Sequence, residues 1–90
     1  MKYFTWNEEK NEQLKQERNI LFEEIVVQIE NGQILDILTH PNDEKYPDQM
    51  IMIVECNQYG YLVPYVETDD EIFLKTIIPS RKATKKYLDK

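Results

Sequence analysis

Residues 49–68 read QMIMIVECNQYGYLVPYVET, and the architecture of the chain depends on how this stretch divides. The first run, Gln49 to Cys56, is apolar at odd and even positions alike, which marks a strand covered on both faces. Asn57 to Gly60 is a turn signal, and Tyr61 to Thr68 resumes with residues suited to a pleated surface. Pro64 has no N–H to give to a ladder, so this second run is expected at one side of the sheet. After a turn at Thr68 to Asp70 comes Glu71 to Ile78 (EIFLKTII), again apolar on nearly both faces. Short turns make these three runs an antiparallel meander, with the first and third toward the interior of the sheet.

Outward from the meander, Gln33 to His40 (QILDILTH) alternates poorly but is rich in Ile and Leu, and reads as another strand. Before it, Phe22, Ile25, Val26 and Ile29 fall at the spacing that places them on one helical face, with Glu23, Glu24 and Glu30 turned away. The spacing predicts a helix from about Leu21 to Asn31, closed at Gly32 and packed on a sheet. A more polar helix is predicted from Glu8 to Arg18, with Asn7 as its cap, two acids in its first turn and Asn19 as its left-handed end. Its one apolar interior residue is Leu14, so it docks by a narrow stripe. Lys2 to Trp6 is short, aromatic and β-prone. Ser80, after Pro79, caps a last helix from Arg81 to about Leu88. The expected fold is α+β: one domain over residues 1–90, an N-terminal strand and two helices on a mainly antiparallel sheet of about four strands, and a short basic C-terminal helix.

Charge is unevenly spread along these 90 residues. The formal net charge is -6, yet residues 75–90 hold six basic side chains against Asp89 alone, while residues 1–74 hold five against sixteen acids. Such segregation speaks about partners rather than about fold. At about 100° per residue, Arg81, Lys82, Lys85 and Lys86 cover one face of the last helix and Ala83, Thr84, Tyr87 and Leu88 the other. Lys85 and Lys86 suit the negative end of the helix dipole. Arg81 and Lys82 sit at the wrong end, at a cost of about 0.3–1 kcal/mol each.

Several classes are excluded. No run approaches the roughly 20 apolar residues that span a bilayer, and the opening MKYFTWNEEK lacks the apolar centre of a signal peptide, so a cytoplasmic protein without a membrane partner is expected. Cys56 is alone and lies in an apolar run, where a buried inert thiol is the ordinary reading. No metal-ligand spacing, Gly-rich phosphate loop or nucleophile elbow occurs, so no metal and no cofactor is expected.

At its two ends the chain resembles the BrnT family of toxins from type II toxin–antitoxin systems. The matching pieces are Trp6, Asn7, Lys10, Phe22, Glu23 and Glu24 at one end, and Ile77, Ile78, Ser80, Arg81, Lys82, Ala83 and Thr84 at the other. The resemblance implies a RelE-like fold, an endoribonuclease that arrests translation by acting on RNA or at the ribosome, and a cognate antitoxin carrying a DNA-binding domain. The chain departs from the family in its acidity, in Arg18 where a His is common, and in Asn19 where a Gly is common.

Metal-independent RNA cleavage needs an activated 2′-hydroxyl, stabilised phosphorane charge and a protonated leaving oxygen. Arg81, Lys82, Lys85 and Lys86 are the concentrated supply of phosphate-binding cations. Arg81 and Lys82, with Lys75 on the preceding strand, are the candidate catalytic cations. His40 is the one side chain whose ordinary pKa is near neutral, although a turn histidine before Pro41 is its bland reading. Tyr87 falls with the docking face, and Tyr61 and Tyr65 read as sheet packing more readily than as base-stacking platforms. A rival reading keeps the fold and drops the chemistry: a non-catalytic interaction domain whose basic helix holds an acidic partner.

Overall fold

A computed structural model describes residues 2–39, 41, 42, 44, 45 and 48–89. The elements in chain order are β1 (Tyr3–Thr5), α1 (Glu8–Arg18), α2 (Phe22–Glu30), β2 (Ile34–Thr39), β3 (Gln49–Cys56), β4 (Tyr59–Glu67), β5 (Glu71–Leu74), β6 (Ile78–Pro79) and α3 (Arg81–Leu88). The fold is α+β, with a six-stranded sheet ordered β1-β5-β4-β3-β2 and β6 paired to β4. Among the described residues all pairings are antiparallel except β1 with β5. The sheet is larger than the four or so strands expected, because the N-terminal strand joins it beside β5 and because Glu71 to Ile78 is not one strand but is divided between β5 and β6.

The expected place of Pro64 is also corrected: β4 is the middle strand. A residue's N–H and C=O point to the same edge of a strand. The Pro64 carbonyl accepts the Lys75 amide at 2.8 Å, so the missing Pro64 donor faces the segment between β5 and β6. There the ladder is already interrupted. Tyr65 pairs with Leu74, but Leu62 pairs with Ile78, so the register moves by one residue across 75–77. One inserted residue is a β-bulge, and it reverses which side chains face the core. Leu74 and Ile77 are both fully buried, while Ile78 is exposed. The frame shift thus places Leu74 and Ile77 on one buried face, while Phe73, ahead of the bulge, is half-buried on the other. A second irregularity, between Ile34 and Asp36, has the same effect in β2 and accounts for its poor alternation.

Two layers of side chains follow from the register. Met52, Val54 and Cys56 of β3 share a face with Val63 and Tyr65 of β4, and Leu14, Ile20, Phe22 and Ile25 close over them from α1, α2 and the connection between the helices. Tyr61 also joins this cluster, and Tyr59 stands edge-on to it at 5.6 Å between ring centroids. Burial pushes the hydroxyl pKa of Tyr61 and Tyr65 up. Both are packing residues, turned away from the face that carries α3. Cys56 is likewise buried, and desolvation, with Glu24 adding to it, raises its thiol pKa.

The helices end where their residues require. Asn7 accepts the Lys10 amide at 3.0 Å, and Asn19 adopts φ 54° and ψ 41°. Leu21 at the start of α2 has no side-chain acceptor, so orphan amides of that helix need outside partners. Glu24 accepts the Leu21 amide at 3.2 Å. Asn11, reaching across from α1, accepts the Phe22 amide at 2.8 Å and donates to Glu23 at 2.7 Å. It is 2 % exposed. A polar residue on the docking stripe of α1 is thus a tertiary cap for α2. The β3–β4 hairpin turns through Asn57 and Gln58, both at positive φ, in the two-residue form whose twist suits its strands. No helix of the described residues is long and apolar enough to cross a membrane.

Replacing Asn11 by Ala leaves the Phe22 amide without its acceptor in a buried place, where such a loss costs about 1–3 kcal/mol. Urea denaturation of Asn11→Ala is expected to show a lower midpoint with an unchanged slope.

Candidate functional site

The register of β3 and β4 turns Ile53, Leu62 and Gly60 to the face opposite α1 and α2, and α3 lies there. Gly60 allows it to come close. A Cβ at this position would lie 3.1 Å from the Thr84 amide nitrogen and 3.3 Å from the Ala83 carbonyl carbon, tight enough that the backbone of α3 would have to give by a few tenths of an ångström. Instead, the Gly60 amide donates to Thr84 Oγ1 at 2.8 Å, and its carbonyl accepts the Ser80 amide at 3.0 Å. Ser80 Oγ accepts the Ala83 amide at 3.0 Å, so the predicted cap is in place. Ala83 and Thr84 are the buried residues of α3, as the amphipathic pattern requires.

The far end of α3 is held to the edge strand. Tyr87 donates its hydroxyl to Asp36 Oδ2 at 2.6 Å, and Asp36 Oδ1 accepts the Ile37 amide at 2.8 Å. The Tyr87 hydroxyl, the Ile37 amide and nearby Lys86 hold the Asp36 carboxyl below its usual range, against a smaller opposing effect of burial. The same bond is the main cause that raises Tyr87 above an ordinary phenol. Asp36 had no visible role in the sequence. A lone carboxylate inside the apolar run ILDIL was its one signal.

Between α3 and the sheet lies a cleft of about 280 Å³ lined by Leu38, Ile53, Leu62, Lys82, Lys86 and Tyr87, with Ser80 and Ala83 at its back. Lys82 and Lys86, one helical turn apart, form its basic rim, and the Lys86 ammonium lies 5.2 Å from the Tyr87 ring centroid. Arg81 and Lys85 are exposed on the neighbouring strip of α3 and do not line the cleft. Lys75 stands on this same sheet face, since its ammonium donates to Gln49 Oε1 at 2.9 Å and Gln49 pairs with Val66. The bulge at 75–77 is fastened from the other side by Arg18, whose guanidinium donates to the Ile77 carbonyl. Arg18, read as a departure at a helix end, therefore has a structural task. His40 lies outside the described residues. Among the described residues, no group of three or more His, Cys, Asp or Glu converges as a metal site.

The Asp36–Tyr87 bond sets a pH window. A carboxyl held below its unfolded pKa stabilises the docked helix above about pH 4 and loses that contribution as pH falls through the folded pKa. A phenol held above its unfolded pKa contributes fully below about pH 10 and stops contributing as pH rises through the folded value. The stability difference between wild type and Tyr87→Phe, followed by urea denaturation across this range, is expected to be greatest in the middle and to shrink at both ends. A difference independent of pH would show that Tyr87 acts through packing alone.

Compared with protein-family models, characterised proteins and solved structures, the chain shows no match, so the reading of this site rests on its own geometry.

Proposed function

We propose that this chain is the toxin component of a type II toxin–antitoxin pair, built on a RelE-like arrangement and acting in the cytoplasm as a metal-independent endoribonuclease that inhibits translation. The observation that carries this reading is the gathering of cations on one sheet face of a net acidic chain. Lys82 and Lys86 rim the cleft, Arg81 and Lys85 continue the basic surface, and Lys75 stands on the same face. The end motifs around Trp6–Lys10, Phe22–Glu24 and Ser80–Thr84 supply the family expectation. In this reading the lysines and Arg81 hold phosphate oxygens and stabilise charge on the phosphorane, and Lys75 or His40 handles protons. A cognate antitoxin with a DNA-binding domain covers this surface when the activity is silent.

One observation favours the non-catalytic alternative. Asp36 and Tyr87, the acid–base groups bonded to each other beside the cleft, have their pKa values driven apart and away from neutrality, which suits a structural latch better than proton transfer. In that version the same basic helix binds an acidic protein and no RNA is cut.

Inducible expression with RNA decay and growth as readouts separates the two. Wild type is expected to arrest growth and cleave RNA, alone or with ribosomes. An Arg81→Ala, Lys82→Ala double variant is expected to lose cleavage by roughly 10²-fold, the scale of removing charge-stabilising donors. Intact RNA with purified wild type in both settings would sink the nuclease reading.

A further inference from the structure

We infer that the cleft under α3 is a docking groove for an acidic, extended segment of a partner protein. One aliphatic side chain of that segment seats against Leu38, Ile53 and Leu62, and its carboxylates pair with Lys82 and Lys86. This deepens the reading above, naming how a neutralising partner takes hold, and it does not require that RNA be cut.

The floor of the groove is aliphatic and its volume, about 280 Å³, suits a side chain or two rather than a whole helix. Leu38 is 42 % exposed on an edge strand, a position that proteins usually guard or cover. The rim is basic while the chain as a whole carries -6, so the local field selects an anionic occupant against the background of the molecule.

Three other occupants fit less well. RNA bases seek exposed aromatic faces, whereas this floor is Leu and Ile and its one ring, Tyr87, is tied by its hydroxyl to Asp36 and approached by the Lys86 ammonium. A second copy joined through β2 would bring two lysine rims side by side, because Tyr87 fastens α3 to that same edge. Simple strand addition along β2 meets an edge whose Ile37 amide already donates to Asp36. What remains is a segment lying in the groove, with apolar contact for affinity and carboxylates for orientation.

The test is a titration of the full, isotope-labelled chain followed residue by residue by NMR. The probe is a short synthetic peptide with a central Leu flanked by two Glu on each side. Its two controls are the same peptide with Lys in place of Glu, and a short oligouridylate. The Glu peptide is expected to shift the amides of Leu38, Ile53, Leu62, Ala83 and Lys86. A Lys82→Glu, Lys86→Glu variant, folded by circular dichroism, is expected to bind it about tenfold more weakly or worse. The Lys peptide is expected to leave these amides unmoved. Equal binding of both peptides, shifts confined to another surface, or the same set of shifts from oligouridylate would each overturn the inference, the last by assigning the groove to RNA. Shifts that follow protein concentration alone would overturn it in favour of a second copy. Because no cleavage is measured, a failure here leaves the nuclease reading standing, and a failure of cleavage leaves this one standing.

Discussion

A hydrogen bond that Pro64 cannot make organises the centre of this molecule. A proline in a middle strand is tolerated only where its neighbour asks for no donor. The chain meets that condition by bulging the neighbouring strand at 75–77, opposite Pro64, where the Lys75 amide still reaches the Pro64 carbonyl. The bulge moves the register by one residue. As a result Ile77 fills the core, Ile78 faces out, and the chain leaves β6 into Ser80 and α3 on the side of the sheet away from α1 and α2. Arg18 holds the same break from the helical side. One irregularity thus fixes the core, the placement of the last helix and, through it, the cleft.

The helical layer shows the same dependence on contacts distant in sequence. α1 is so polar that its docking stripe is Leu14 and Asn11. Its contribution is less hydrophobic burial than the completion of α2, whose N-cap residue, Leu21, makes no side-chain capping bond. The cost of burying an amide side chain is offset because both ends of Asn11 are bonded. Phe22 is then held at zero exposure, with Trp6 stacked on it at 5.6 Å between centroids.

On the opposite face, function and stability share residues. Thr84 and Gly60 seat α3, Tyr87 ties it to Asp36, and the lysines between these anchors rim the cleft. The basic tail is therefore a positioned surface. Its four cations are not equivalent: Lys82 and Lys86 border the cleft, while Arg81 and Lys85 extend beyond it. Helix electrostatics alone would have grouped Arg81 with Lys82, but the rotation of the docked helix divides them differently.

What the sequence determined by itself was local. The limits of α1 and α3, the caps at Asn7 and Ser80, the left-handed turn at Asn19 and the docking face at Ala83 and Thr84 were all legible, because each depends on neighbours within a turn of helix. The place of the β3–β4 hairpin was legible for the same reason, although its turn is Asn57 and Gln58 alone and Tyr59 and Gly60, read as turn residues, already pair in β4. The gathering of basic residues near the chain end was legible too. The tertiary structure decided what depends on partners far along the chain: the central place of β4, the division of Glu71 to Ile78 into two strands, the cap that Asn11 lends to α2, the role of Asp36, and which cations meet in the cleft. A single inserted residue inverts every side chain after it, and only the pairing of strands reveals where that residue lies.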